Sequence, residues 1–205
     1  MMMHRTRNGS TLIEVMLFLS IVAIMSTAIV GTFISIQDAR IRQQYMSEVG
    51  QRGAQLLGTI TKNIRASEVI LSPQTGAPSS TLALQMSQNS VNPTIFIRTS
   101  SGNIILIQKT STAALLGQRV TVTGLQFINV ANASVAVSFD MSVMLPTIPP
   151  RTYSEHFEGT ATLTPKKASN GGCATCSLPV CSGGLEQWQY CDNGTCTAST
   201  VRVGC

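Results

Sequence analysis

The stretch NGSTLIEVMLFLSIVAIM, Asn8–Met25, opens a long apolar run in a chain of 205 residues. No residue from Val15 to Gln37 is charged. As a helix rising 1.5 Å per residue, this run spans about 35 Å, enough to cross the ~30 Å hydrocarbon core of a bilayer. One carboxylate, that of Glu14, stands at the entrance to the run, where transfer into lipid costs free energy. The sequence therefore predicts a membrane helix with one unexplained charge.

The residues before the run predict its orientation. Arg5 and Arg7 precede it, and positively charged flanks remain in the cytoplasm, so the rest of the chain is expected on the far side of the membrane. Two simpler interpretations are a cleaved secretory signal, for which Ala23, Ser26 and Ala28 offer small residues near a cleavage site, and a plain membrane anchor. Neither gives the carboxylate a partner.

The spacing around Glu14 suggests a partner. If the chain is cut between Gly9 and Ser10, a new positively charged amine lies four residues before the carboxylate. Residues four apart share one face of a helix. The amine and the carboxylate can then pair within one chain or between neighbouring chains, which neutralises both charges in an apolar setting.

The sequence G-S-T-L-I-E-V at Gly9–Val15, after a short basic leader and before a long apolar helix, resembles the prepilin motif of the type IV pilin superfamily. The resemblance implies that prepilin peptidase cleaves after Gly9, that the amine of Ser10 is N-methylated, and that Glu14 is the assembly glutamate. The usual pattern is G-F-T-L-I-E. Small and polar residues occur at this position in minor pilins and pseudopilins, so the serine at position 10 favours a minor subunit.

The resemblance also implies location and partners. The chain is expected in the cytoplasmic (inner) membrane as a single-pass protein with its C-terminal head outside, and later in a cell-surface filament. The implied partners are other pilin subunits through their N-terminal helices, prepilin peptidase, the inner-membrane assembly platform, and the lipid bilayer before assembly. No cofactor is implied.

The apolar pattern continues past the membrane run as an amphipathic helix, with apolar residues at steps of three, four or seven: Ile41, Tyr45, Val49, Leu56, Ile60 and Ile64. No proline occurs before Pro73, so one helix from about Ser10 to Ala66 is predicted. Two helices, broken near Gly31 or Gly50, are the alternative because glycine weakens a helix.

Strand-like runs follow a loop at Ser72–Ser80, and a hairpin turn is predicted at Thr99–Asn103. The predicted strands are Leu82–Gln88, Thr94–Thr99, Asn103–Lys109, Arg119–Asn129, Ser134–Met144 and Tyr153–Thr164. One antiparallel sheet of five or six strands, laid on the amphipathic half-helix, is expected. The fold class is therefore α+β and pilin-like, with these segments: leader 1–9, apolar helix 10–36, amphipathic helix 37–66, head 67–165, and linker with cysteine-rich module 166–205.

Composition and motifs do not indicate catalysis or nucleic-acid binding. Only 11% of residues are charged, and the net charge of +5 is scattered, without a basic patch that has aromatic residues interleaved. His4 lies in the leader, and His156, in a strand-like run, is expected at the surface. Asp140 is interpreted as a strand-edge charge or a ligand. No glycine-rich phosphate loop follows a strand.

All six cysteines fall in the last part of the chain: Cys173, Cys176, Cys181, Cys191, Cys196 and Cys205. An even number of cysteines in an exported chain predicts three disulfides, and fifteen pairings are open. A zinc site of four thiolates from Cys173, Cys176, Cys191 and Cys196 is the alternative. The segment is too short to fold without such links, and it is expected to be exposed, either contacting an external ligand or capping the chain.

Three functions follow from these observations. The first is a structural subunit, expected to be a minor pilin, of a type IV pilus or related filament. The second is a pseudopilin of a type II secretion system. The third is a membrane-anchored adhesin or binding protein that uses the cysteine-rich module. The chemistry of the mature N-terminus separates the third function from the first two.

Overall fold

The computed structural model of the chain describes residues 12–88, 90–117, 119–130, 133–146, 150–164, 176, 180–182, 185–199 and 203–204. At 180–182, 185–187 and 203–204, it describes the backbone but not the side chains. The chain divides into two compact units, Met1–Gln44 and Tyr45–Cys205. The described part of the first unit is helical throughout, and all the strands belong to the second unit.

One helix, α1, runs from Leu12 to Ala66. The prediction of a continuous helix is confirmed over the described residues, and the alternative of a break at Gly31 or Gly50 is wrong. At the C-terminal end of the helix, the Ser67 hydroxyl donates a hydrogen bond to the carbonyl oxygen of Ile64 over 2.7 Å. This bond satisfies one of the carbonyl groups that a helix end leaves unpaired.

Nine strands follow α1 in the head: β1 (Ser67–Ser72), β2 (Pro78–Ser79), β3 (Thr81–Met86), β4 (Thr94–Arg98), β5 (Ile104–Gln108), β6 (Ser111–Ala114), β7 (Val120–Asn129), β8 (Ser134–Leu145) and β9 (Arg151–Thr162). The six predicted strands coincide with β3, β4, β5, β7, β8 and β9, to within two residues at each end. Three strands were not predicted: β1, which follows α1 directly, and the short strands β2 and β6.

The head contains two antiparallel sheets instead of the single sheet that was expected. The strand order is β1-β3-β4-β5-β6 in one sheet and β2-β7-β8-β9 in the other. Strands that follow each other in the chain usually pair, and a single sheet was expected for that reason. β6 and β7 follow each other but belong to different sheets, and nothing in the sequence between them signals this change. The predicted hairpin turn is confirmed, because the Thr99 N–H donates to the Asn103 carbonyl over 2.8 Å and Gly102 has a φ of 79°.

The main core lies among the second half of α1 and the inner faces of both sheets. Four of the six apolar helix positions predicted to face a core are buried there: Val49, Leu56, Ile60 and Ile64. Tyr45 is partly buried against this core, and Ile41 is half-buried outside it. Strand β8 alternates buried and partly exposed residues along most of its length, as a strand with one face on a core should. The amphipathic half of α1 therefore packs its apolar face against the sheets of the head.

Two glycines allow close approach between α1 and β9. A Cβ atom on Gly53 would overlap the ring of Phe157, and one on Gly159 would lie 3.2 Å from Leu57 Cδ2. The Phe157 ring also stacks on Phe139, with ring centroids 5.4 Å apart. A phenylalanine of the strand thus fills the space above a helix glycine, while a leucine of the helix fills the space above a strand glycine.

The described part of the cysteine-rich tail contains five short strands: β10 (Val180–Ser182), β11 (Leu185–Gln187), β12 (Gln189–Asp192), β13 (Thr195–Ala198) and β14 (Val203–Gly204). Strands β10, β11 and β14 form one sheet, and β12 pairs with β13 as a hairpin. The hairpin turn has positive φ at Asn193 (50°) and Gly194 (83°), which is the type I′ geometry that Asn-Gly favours.

Part of the tail packs on the head instead of standing free. Trp188 is only 1% exposed and forms a second apolar cluster with residues on the outer face of the five-stranded sheet: Leu71, Ala83 and Ile95. The backbone of Cys191 is held at both polar groups. Its N–H donates to Gln85 Oε1 over 2.9 Å, and its carbonyl accepts from Asn92 Nδ2 over 2.6 Å. The five-stranded sheet thus carries an apolar cluster on each face.

Candidate functional site: the bare apolar segment of the helix

The first part of α1, residues 12–36, presents an uncovered apolar surface. Its large hydrophobic side chains are each between 40% and 76% exposed. The most apolar 18-residue window of α1 has a mean hydropathy of 2.4, and none of that window is buried within the chain. Continuous apolar exposure of this extent is rare on proteins that remain monomeric in water. The segment is long and apolar enough to cross a bilayer once.

The hydroxyl groups within this segment are all bonded to the backbone of the same helix. Each donates to a carbonyl oxygen three or four residues earlier, at 2.7 to 3.1 Å: Ser20, Ser26, Thr27, Thr32 and Ser35. An unpaired hydroxyl in a hydrocarbon environment is costly, and a bond to the preceding turn removes that cost. The segment therefore offers no unpaired hydroxyl to its surroundings.

Glu14 is the single charged residue between Leu12 and Gln37 and lies in the first turn of α1. Its side chain is exposed, and no hydrogen bond or ion pair to it occurs within the described part of the chain. A carboxylate in the first turn is favoured by the helix dipole, which is positive at the N-terminus. The next charged residue along the helix is Asp38. Glu14 is therefore an isolated carboxylate in the first turn of an otherwise uncharged helix segment.

The residues expected to surround Glu14 lie outside the described residues. These are the cleavage positions Gly9 and Ser10 and the basic residues Arg5 and Arg7. Position 10 precedes Glu14 by four residues, which is about one helical turn or 6 Å of rise. The geometry of an amine–carboxylate pair at this end stays a prediction.

The structure describes part of the predicted disulfide bonding. A disulfide joins Cys176 to Cys196, and Cys191 is disulfide-bonded as well. Cys173 and Cys205, and the side chain of Cys181, lie outside the described part. Three of the four thiolates proposed for zinc are thus already oxidised. No group of three or more potential metal ligands occurs among the described residues.

The predicted surface position of His156 is correct. Its side chain is 55% exposed, and its Nδ1 lies 2.7 Å from Oδ1 of Asp140, its partner across the β8–β9 ladder. Gly124, at a register shift in β7, leaves room for the other oxygen of Asp140. The surrounding rungs carry hydroxyl side chains, and Thr121 bonds Ser142. An exposed pair of this kind contributes little to stability.

Two features of the cysteine-rich tail were not predicted from the sequence. The docking of Trp188 depends on a distant sheet face, and no local pattern signals such a contact. The hairpin at Asn193 and Gly194 was missed although Asn-Gly between two short strands is a strong hairpin signal.

Comparisons with family models, with curated proteins and with solved structures found no match to this chain.

Proposed function

We propose that this chain is a structural subunit, of the minor pilin type, of a type IV pilus or a related filament. The observation that carries the proposal is the bare apolar first part of α1 with Glu14, the last residue of the G-S-T-L-I-E motif, in its first turn. The head on the second half of the same helix supports it, because one helix then carries both an insertion segment and a folded domain.

In the proposed mechanism, Arg5 and Arg7 orient insertion, and prepilin peptidase removes residues 1–9. Before assembly, residues 12–36 lie in lipid. During assembly they exchange lipid contacts for contacts with the helices of neighbouring subunits. The hydroxyl groups need no new partners during this exchange, since they are bonded within their own helix. The helix is therefore compatible with both apolar environments.

Glu14 supplies specificity in this mechanism. A charged side chain at the centre of a membrane helix costs roughly 2.5–3.5 kcal/mol on insertion scales, and less near the interface. Pairing with the amine of Ser10 on a neighbouring subunit offsets that cost. An arrangement of neighbouring helices that places the Glu14 carboxylate beside the Ser10 amine is therefore favoured over arrangements in which the same helices are shifted along their axes.

The proposal is tested by the mass of the mature N-terminal peptide. The full chain is expressed in cells with and without a prepilin peptidase, and membrane fractions are digested and analysed by mass spectrometry. The expected peptide begins at Ser10, with or without one added methyl group, and only in cells that contain the peptidase. A peptide beginning near Ser26–Ile29, or an uncut Met1, would refute the proposal and leave a signal or an anchor.

A further inference from the structure

The β12–β13 hairpin places two cysteines opposite each other. Asp192 pairs with Thr195 next to the two-residue turn, and Cys191 pairs with Cys196 on the following rung. In a two-residue hairpin the rung nearest the turn is hydrogen-bonded, so the next rung is not. The backbone bonds agree, because the N–H and carbonyl of Cys191 are used by Gln85 and Asn92 of the head.

A rung without hydrogen bonds is the place where opposed side chains come closest. Opposed Cα atoms are about 4.5 Å apart there. Disulfides join Cα atoms that are roughly 4.4–6.8 Å apart. A direct bond between Cys191 and Cys196 therefore fits the hairpin, yet the chain uses neither cysteine in this way. Cys196 is bonded to Cys176, and Cys191 is bonded to a cysteine outside the described side chains.

The hairpin is held on the head by contacts that do not involve sulfur. Trp188 is buried against the sheet, and Gln85 and Asn92 bond the backbone of Cys191. Asn92 is itself fixed, since its Oδ1 accepts from the Met86 N–H over 3.1 Å. A change of disulfide partners at this rung consequently leaves the two cysteines opposite each other.

We propose that Cys191 and Cys196 form an alternative disulfide, and that exchange into this state releases Cys176 as a thiol. A dithiol reductant first reduces the existing disulfide of Cys191 and is itself oxidised to a disulfide. The Cys191 thiolate then attacks Cys196 Sγ, the Cys176–Cys196 bond breaks, and Cys176 leaves as a thiolate that takes up a proton. The tail is thus a substrate for thiol–disulfide oxidoreductases, and this proposal does not depend on the filament function.

The test uses a Cys176→Ser variant of the full chain, exported to an oxidising compartment and purified in detergent. The free Cys196 thiolate is expected to attack Cys191 Sγ and to displace its former partner. Free thiols are alkylated, and peptides are mapped by mass spectrometry without reduction. We expect a Cys191–Cys196 link in more than half of the molecules. The control is Cys196→Ser, in which Cys191 should keep its original partner and Cys176 should be alkylated.

Trp188 is the single tryptophan of the chain, so its fluorescence reports whether the hairpin stays docked. Emission at the wavelength of the unmodified protein is expected in the Cys176→Ser variant. The proposal is overturned if Cys196 is alkylated while Cys191 keeps its former partner. It is also overturned if the Cys191–Cys196 link forms only in molecules with the red-shifted emission of an undocked tail. The same link after brief treatment of the unmodified chain with dithiothreitol, with Cys176 alkylated, would support it.

Discussion

Replacing Gly53 by alanine tests whether α1 and β9 are held in close contact by the two glycines. The new Cβ atom would overlap three carbons of the Phe157 ring. The ring cannot move away freely, because it stacks on Phe139, which is fully buried. Overpacking of a dense core costs about 1–3 kcal/mol. Alanine recovers up to about 1 kcal/mol through its higher helix propensity. Because three ring carbons would be overlapped, the cost falls in the upper part of that range, about 2–3 kcal/mol, and subtracting the ~1 kcal/mol of helix propensity leaves a net loss of roughly 1–2 kcal/mol.

The matched control is Gly58→Ala on the same helix. Gly58 is exposed, and a Cβ atom there meets nothing within 4 Å, so only the gain in helix propensity remains. For a domain of 150–250 residues, 1 kcal/mol corresponds to about 2–4 °C in Tm. We expect Gly53→Ala to lower Tm by about 2–8 °C and Gly58→Ala to raise it by up to about 4 °C.

The assay is thermal unfolding of the full chain in detergent micelles, followed by the emission of Trp188. This side chain becomes exposed when the head unfolds, whereas the apolar part of α1 remains helical in the micelle. Equal increases in Tm for both variants would refute the argument, because they would mean that Phe157 yields to the new methyl group without cost.

Three further substitutions test separate parts of the molecule. Under the proposed filament function, Glu14→Gln is expected to leave cleavage intact but to reduce the chain in sheared filaments by roughly ten- to a hundredfold, because a lost charged hydrogen bond costs about 1.5–3 kcal/mol. The control Asp38→Asn, on the same helix, should assemble normally, and equal defects in both variants would contradict the role of the first carboxylate. Trp188→Ala should lower the free energy of unfolding by about 3 kcal/mol in denaturant titrations followed by circular dichroism, and a loss below about 1 kcal/mol would show that the docked tail adds little. His156→Gln should change that free energy by less than about 0.5 kcal/mol, since its pair with Asp140 is exposed; a larger loss would indicate a structural role.

Much of the fold could be predicted from local patterns in the sequence. The spacing of Val49, Leu56, Ile60 and Ile64 predicted the buried face of α1, and alternation predicted the long strands of the head. These predictions succeed because the side-chain periods of helices and strands are fixed by backbone geometry. Strand β1 was missed because it follows the helix directly at Ser67, with no glycine or proline to separate the two.

Contacts between distant parts of the chain could not be predicted in the same way. The alternation of a strand tells which side chains share a face, but not which strand lies beside it, so the division into two sheets was not visible. The roles of Gly53 and Gly159 depend on Phe157 and Leu57, which lie about a hundred residues from their respective partners. For the candidate site, the apolar run and Glu14 could be predicted from the sequence, whereas the hydrogen bonds of the hydroxyl groups depend on side-chain rotamers that the sequence does not specify.

The reciprocal fit of Phe157 over Gly53 and Leu57 over Gly159 has a mechanical consequence. A side chain seated in a recess resists sliding along the helix axis more strongly than a smooth apolar contact of equal area, because dense interiors deform little. A pull on the second half of α1 is therefore transferred to β9 at two points. Strand β9 pairs with β8 over twelve residues, so a force applied to β9 is shared among the hydrogen bonds of that ladder. The two fitted side chains thus oppose any sliding of the second half of α1 along β9.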